Sequence, residues 1–147
     1  MTRVHKAAEK TTLQIPVAEP DMTTLRLILG DQLNPGHSWF CRVEADVVYT
    51  LMEVRQETDY VLHHAQKILG IFAAMRDFAE QLKRAGHRID YLRIDDPENW
   101  QALPANLDRL IERHEVRAVE YQEPDEWRLD RQLAAYGERL GLSLIHI

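Results

Sequence analysis

The chain has 147 residues, of which 45% are hydrophobic and 29% charged, a composition typical of one soluble globular domain with a single core. Its 24 acidic and 18 basic residues give a net charge of −6, which would repel a phosphate backbone and disfavours direct binding of nucleic acid. The single cysteine, Cys41, excludes an internal disulfide and fits a reducing cytoplasm. No apolar run approaches the roughly 18 residues that a membrane span needs, so we expect no membrane partner.

The first 22 residues predict a mobile N-terminal tail. They are polar and lack the apolar segment of a secretory signal, and Pro16 and Pro20 would interrupt any helix among them. The rest of the chain contains no repeats and no low-complexity linker, so residues 23–147 are assigned to one domain.

The alternation of apolar and amphipathic segments predicts the order of elements. Strands are expected at 25–30, 46–52, 88–94, 116–121 and 142–147. Helices are expected at 57–85, 104–114 and 126–140. This alternation favours βαβ units, and so an α/β fold with a Rossmann-like five-stranded parallel sheet flanked by helices. The last strand has no polar closing residues, so we suspect that the chain is a fragment and that residues 143–147 are not native.

The first predicted strand ends in a motif that indicates a ligand-binding edge. Gly30 permits a sharp turn or a close backbone approach, and it leaves Asp31 and Gln32 at the carboxyl end of the strand. Ligands of open α/β sheets bind at that edge. Turn chemistry alone would explain Asp31 equally well. The chain has neither GxxxxGK[ST] nor GxGxxG, which disfavours a nucleotide held by its phosphates.

A long amphipathic helix is predicted to begin at Glu57 and to end before Gly86. Its apolar stripe consists of Val61, Ala65, Ile68, Phe72, Met75, Ala79 and Leu82. Near its start lies a polar cluster formed by Glu53, Glu57, Tyr60, His63, His64 and Lys67. These groups could hydrogen-bond a polar heteroaromatic ring. The alternative is a solvated face with a capping Glu57 and a packed histidine.

Four segments, taken in order, resemble the N-terminal domain of the bacterial deoxyribodipyrimidine photolyase-related proteins. They are ILGDQL, LMEVRQETDYVLHHAQKI, AMRDFAEQLKRAGHRIDYLRIDD and EPDEWRL. The family comprises iron–sulfur photolyases and cryptochromes, including prokaryotic (6-4) photolyases. The resemblance extends from Leu25 to about Leu142 with compatible spacing.

The resemblance implies an antenna domain. In this family the N-terminal α/β domain holds a 6,7-dimethyl-8-ribityllumazine-type chromophore. FAD, a [4Fe–4S] cluster and the damaged-DNA pocket belong to a helical C-terminal domain. The chain would therefore pack against that C-terminal FAD domain, meet damaged DNA only through it, and be non-catalytic by itself. The single cysteine agrees, since four thiolates are needed for the cluster.

The resemblance also implies which residues bind the antenna. They lie after the first strand and in the long helix: Gly30, Asp31, Gln32, Glu57, Tyr60, His63 and Ile71. Asp31 and Glu57 would be polar partners of the lumazine ring or of its ribityl chain. Two other interpretations stay open. One is a free-standing α/β nucleotide-binding enzyme that uses Asp31, Glu57 and His63, and the other is a ligand-free domain that only packs against a helical partner.

Overall fold

The computed structural model describes residues 22–59, 61–141 and 143–146. In these ranges short apolar segments alternate with longer amphipathic ones. The strands within these ranges are β1 (Thr24–Leu27), β2 (Val47–Met52), β3 (Arg88–Leu92), β4 (Ala118–Tyr121) and β5 (Ser143–His146). The helices are α1 (Arg55–Asp59), α2 (Ala65–Arg84), α3 (Leu103–Arg113) and α4 (Trp127–Leu140), with a short 3₁₀ helix at Ser38–Phe40. None of these helices is long and apolar enough to cross a membrane. Apart from Met22, the predicted tail lies outside the described residues.

The strands form one parallel sheet in the order β3-β2-β1-β4-β5. Leu25 of the central strand pairs with Val48 of β2 on one side and with Val119 of β4 on the other. Parallel strands need long crossover connections, which the helices supply from β2 onwards. All six residues of β2 are buried, as expected for a strand covered on both faces. The predicted α/β fold, a parallel sheet flanked by helices, is confirmed.

Two hydrophobic cores lie on the two faces of the sheet. On one face, Val48 belongs to the same cluster as Leu107 of α3 and Leu133 of α4. On the other face, Tyr49 clusters with Phe78 of α2. Successive side chains of a strand point to opposite faces, so neighbouring residues of β2 serve different cores. The helices α3 and α4 therefore cover one face, and α2 covers the other.

The prediction of one helix over 57–85 is wrong, because two helices occupy this stretch. The chain leaves α1 at Asp59, turns at Val61 and Leu62, and re-enters helical geometry only at Ala65. His64 is the N-cap of α2: its backbone is extended, and its Nδ1 accepts a hydrogen bond from the Gln66 N–H at 3.2 Å. Val61 is 48% exposed, so its apolar character does not continue the buried stripe.

The far end of α2 agrees with the predicted pattern. Met75, Ala79 and Leu82 are buried against the sheet. Gly86 follows the helix with φ of +97°, a backbone conformation that glycine adopts without a steric cost. The first strand is shorter than predicted and ends at Leu27, because the chain soon turns and the Gln32 N–H donates to the Leu29 carbonyl at 3.0 Å.

Candidate functional site

A cavity of about 430 Å³ opens at the carboxyl edge of the sheet, within the range of about 300–1,000 Å³ typical of small-molecule sites. The chain following β1 and β2 forms one wall, and the first half of α2 forms the opposite wall. The beginnings of α3 and α4 contribute Leu103 and Leu129. The apolar lining from the strands and α2 consists of Leu27, Ile28, Leu29, Met52, Val54, Ile68, Ile71, Phe72 and Met75.

Gly30 allows α2 to lie close to the end of β1. A Cβ atom at this position would lie 3.1 Å from Cγ2 of Ile71 and 3.2 Å from the sulfur of Met75. Both contacts are tighter than ordinary packing, so a larger residue would displace the helix wall. The close backbone approach predicted at Gly30 is therefore made by α2, the helix that lines the cavity.

The polar groups of the cavity lie around its mouth. They belong to Asp31, Glu57, Thr58, His63, Lys67 and Glu126. Three of these side chains are carboxylates, and Lys67 is the one lysine among the described residues of the lining. The mouth is therefore predominantly acidic, which matters for the charge of any ligand.

Glu57 is held in place from both sides. Its Oε1 accepts a hydrogen bond from Gln56 Nε2 at 3.0 Å, and its Oε2 accepts one from Arg128 Nη2 at 3.1 Å. Arg128 also donates from Nε to Glu126 Oε1 at 2.8 Å. Burial alone would lower the pKa of Arg128, but its bonds to Glu126 and Glu57 raise it above the ordinary value. One guanidinium from α4 thus orients two carboxylates at the mouth.

The predicted site residues are mostly brought together. Gly30, Asp31, Glu57, His63 and Ile71 all line the cavity. Their contacts with a ligand stay a prediction. The predicted Tyr60 lies outside the described residues.

Gln32 has a different position from the other predicted residues. Its Oε1 accepts a hydrogen bond from the Leu29 N–H at 3.1 Å, and its Nε2 donates to the Gln122 carbonyl at 3.2 Å. The side chain thereby connects the loop after β1 with the loop after β4. This connection fixes the cavity edge without placing Gln32 in the apolar lining.

Glu53, another member of the polar cluster, is fully buried and is not among the described residues that line the cavity. Arg76 donates to its two oxygens at 2.6 and 2.7 Å, the Tyr91 hydroxyl donates at 2.6 Å, and the Ile94 N–H at 2.9 Å. Burial alone would raise the pKa of Glu53, but these donors bring it below its ordinary value. Burial and the nearby carboxylate raise the pKa of Tyr91. Glu53 therefore joins α2 to β2 and β3 and supports the cavity from behind.

The sequence interpretation missed Arg128 and Glu126. They come from α4, and nothing local in the sequence shows that this helix begins beside Glu57. Phe72 and Met75 were assigned to the core stripe, yet both also line the cavity. The apolar stripe of α2 does not separate the two roles, since a core and an apolar cavity need the same kind of side chain.

A second cavity, of about 320 Å³, lies beyond Asp31 and is lined by the loops after β1 and β4. Asp31 lines both cavities. In the second one, the side-chain nitrogen of Gln122 is buried and has no hydrogen-bond partner among the described residues. Across those residues, no group of three or more His, Cys, Asp or Glu side chains could hold a metal ion.

Comparison with known proteins identifies the family. The model of the deoxyribodipyrimidine photo-lyase-related protein family matches residues 26–146. The chain belongs to this family. A (6-4) photolyase of Agrobacterium fabrum is 38% identical over 125 residues, which make up 84% of this chain and 24% of that protein. The resemblance inferred from the four motifs is confirmed, and the chain spans about a quarter of the length of this curated relative.

Proposed function

We propose that the chain is the antenna-binding domain of a photolyase- or cryptochrome-like flavoprotein, and that its chromophore is of the 6,7-dimethyl-8-ribityllumazine type. The observation that carries the proposal is the apolar cavity at the carboxyl edge of the sheet, in a member of the photolyase-related family. The proposal includes a helical C-terminal domain with FAD and a [4Fe–4S] cluster. The whole protein would act in light-dependent DNA repair or blue-light sensing, and would contact damaged DNA through that domain. We place it in the cytoplasm, where the exposed thiol of Cys41 would stay reduced.

The lining of the cavity suits a planar, uncharged ring. Phe72 and Met75 on one wall and Met52 on the other offer apolar surface to the ring faces. Burial of such surface contributes about 25 cal/mol per Å². At the mouth, the Glu57 carboxylate can accept from a ring N–H, and Lys67 can donate to a ring carbonyl. In this proposal Gly30 and Ile71 shape the ring site, and Asp31, Tyr60 and His63 contact the ligand.

A Rossmann-like assignment is supported by the strand order, since 3-2-1-4-5 is the order of that architecture. In that architecture a phosphate usually binds at the N-terminus of the helix that follows the first strand. Between β1 and β2 the chain, all of it described, forms only the three-residue 3₁₀ helix Ser38–Phe40, so no α-helix N-terminus follows β1. Together with the acidic mouth, this favours an unphosphorylated chromophore over a nucleotide.

The fixed position of Glu57 supports a binding role. Gln56 and Arg128 each donate to one of its oxygens, and each oxygen keeps a second lone pair for a ligand N–H. The free-standing enzyme, in which Glu57 would act directly on a substrate, is the first of the two alternatives. A ligand-free packing domain, the other alternative, would leave an apolar cavity of about 430 Å³ without an occupant.

The test is fluorescence titration of the purified chain with 6,7-dimethyl-8-ribityllumazine. We expect saturable binding of one molecule per chain. Ile71→Trp, which would fill the cavity, should abolish binding. Leu69→Trp is the matched control, because Leu69 lies on the same helix and is 68% exposed outside the lining. Absence of binding to the unaltered chain, or equal loss in both variants, would remove the antenna assignment.

A further inference from the structure

The outward side of α2 changes its chemistry halfway along the helix. Residues four positions apart lie on the same side of a helix, so Leu69, Ala73 and Asp77 form one exposed row. From Asp77 onwards the outward side chains are charged or polar, and Gln81 Nε2 donates to Asp77 Oδ2 at 2.6 Å. Before Asp77 the row is apolar. The second half of α2 is therefore a solvated surface, whereas the first half has the composition of a buried one.

The apolar surface continues from the first half of α2 into the turn before it. Leu62 in that turn is fully exposed, and Leu69 is 68% exposed. We call this surface the outer patch. Its members, all exposed, are Val61, Leu62, Ala65, Leu69, Gly70, Ile71, Ala73 and Ala74. Isolated apolar residues are common on a protein surface, whereas a group of this size in one short segment marks an interaction site.

Gly70 has no steric reason within the domain. Glycine in the middle of a helix destabilises the helix relative to alanine. The close approach of α2 explains the glycine at Gly30, but a Cβ atom at Gly70 would meet no described atom within 4 Å outside its immediate helix neighbours. Together with Ala73 and Ala74, three and four positions further on, Gly70 forms a flat surface. The backbone of another helix can come close to such a surface.

The size of the outer patch indicates a partner that is covalently connected to this domain. Each side of a stable complex between separate chains contributes about 20–30 residues. The outer patch has eight, which is too few for a second copy of this chain. It is sufficient within one polypeptide, where a linker keeps the effective concentration of the partner high. The (6-4) photolyase that is 38% identical has about three quarters of its length outside the matched region, and the corresponding part of the whole protein is the candidate partner.

We propose that the outer patch is the surface on which the C-terminal domain of the whole protein docks, through an apolar helix that packs along the first half of α2. The proposal rests on the proposed function, which supplies that domain, and goes beyond it by assigning the surface. Leu62 and Leu69 pack into the partner helix, and Gly70 lets the backbone of that helix approach. The outer patch carries no charge, so the partner side chains that face it are apolar.

Docking on the outer patch also closes the cavity. Ile71 lines the cavity and is still 38% exposed at the surface, so this side chain belongs to both. None of the residues 65–74, all of which are described, is buried. A partner that covers this segment removes its outer side from water and holds it against the sheet. The chromophore and the C-terminal domain then stabilise the same part of α2, and the binding of each should strengthen the binding of the other.

Thiol labelling measures the cover directly. In a Cys41→Ser background, which removes the exposed thiol, Leu69→Cys places a reporter in the outer patch. Alkylation by iodoacetamide is followed by mass spectrometry of the peptide that contains residue 69, in the 147-residue chain and in the whole protein. We expect the reporter to react at least about tenfold more slowly in the whole protein, because alkylation requires an accessible thiolate. Gln81→Cys, on the exposed second half of the same helix, is the matched control and should react equally in both proteins.

A second substitution tests the apolar contact itself. Leu62→Glu, in the whole protein that carries the reporter at residue 69, places a charge in the docked interface and should raise the labelling rate towards that of the 147-residue chain. Gln81→Glu is the control and should leave the rate unchanged. Because Leu62 is fully exposed in the chain, Leu62→Glu should not change the thermal midpoint of the chain. This measurement separates lost docking from lost folding.

The labelling rates also distinguish other occupants of the outer patch. Equal labelling of the reporter in the two proteins would overturn the docking surface, and so would protection that survives Leu62→Glu. Protection in the 147-residue chain that increases with its concentration would assign the outer patch to a second copy and refute the proposal. Protection in that chain that vanishes when residues 1–21 are removed would assign the patch to the N-terminal segment, with the same consequence. No lumazine takes part in the labelling, so failure of the antenna assignment in the lumazine titration and failure of the docking surface are measured separately.

Discussion

The ion pair between Glu53 and Arg76 should be the largest electrostatic contribution to the stability of the cavity wall. Glu53 lies between Met52 and Val54, which line the cavity, and Arg76 follows Met75 of the opposite wall. Replacement of Arg76 by methionine keeps an apolar stem and removes the guanidinium. The carboxylate of Glu53, which is fully buried, would then retain two donors from the described part of the chain, the Tyr91 hydroxyl and the Ile94 N–H.

The expected cost follows from the burial of the two partners. Removal of one partner from a buried ion pair typically costs about 3–5 kcal/mol. The Arg76 side chain is 39% exposed, and two other donors remain on Glu53, so we expect about 2–3 kcal/mol for Arg76→Met. Arg84→Met is the matched control, since Arg84 is exposed on the last turn of the same helix, and it should change stability by less than about 0.5 kcal/mol.

The destabilisation caused by Arg76→Met should decrease as the pH falls. The pKa of Glu53 lies below its ordinary value of 4.5 in the folded protein, so its stabilisation is complete above about pH 4.5. That stabilisation is lost as the pH falls through the folded pKa. Urea unfolding of the unaltered chain and of Arg76→Met between pH 7 and pH 3 measures this dependence. The difference in unfolding free energy between them should be largest near neutrality and smaller in acid. A difference that does not change with pH, or that is no larger than for Arg84→Met, would refute the ion-pair reasoning.

Three further predictions concern the site and its limits. Arg128→Gln should weaken lumazine binding by about 1–3 kcal/mol in a fluorescence titration, because Glu57 loses one of its two donors, whereas Arg131→Gln on the exposed face of α4 should have no effect. Phe72→Ala should lower the thermal midpoint more than Arg84→Ala does. We expect it to reduce the free energy of unfolding by about 1–3 kcal/mol, since Phe72 is only half-buried, and the reverse order would mean that the wrong helix face was identified. The chain alone should neither bind FAD stoichiometrically nor reverse a (6-4) lesion under light with FAD and reductant, and lesion reversal above a no-protein control would place the catalytic centre in this domain.

The sheet and the end of α2 were predictable because their signals are local. Strands covered on both faces read as apolar runs, and Gly86 marks the end of the helix. The break between α1 and α2 was not predictable in the same way. Its N-cap is a histidine, which stands outside the Ser, Thr, Asp and Asn residues that usually mark a helix start.

The candidate site was predictable where it follows the strand ends. Asp31 and Glu57 lie at the cavity because the carboxyl edge of a parallel sheet gathers such residues. Glu53 was grouped with them, but it bonds Arg76 of α2 and is not among the described lining residues. Arg128 required tertiary structure, since the guanidinium reaches Glu57 only after α4 packs beside α1.

The burial pattern of α2 connects ligand binding to local stability. From Met75 onwards the helix contributes buried side chains to the core, whereas residues 65–74 contribute none. Ile68 and Phe72 in that first half line the cavity, and Phe72 also packs against the core as a partly buried side chain. Segments with few buried contacts open locally at low cost, and a ligand that binds only the closed form stabilises it. Amide hydrogen exchange in residues 65–74 should therefore slow when lumazine binds, while residues 75–84 should change little. Equal protection along the whole helix would mean that the ligand acts on global stability and that the first half of α2 is not its wall.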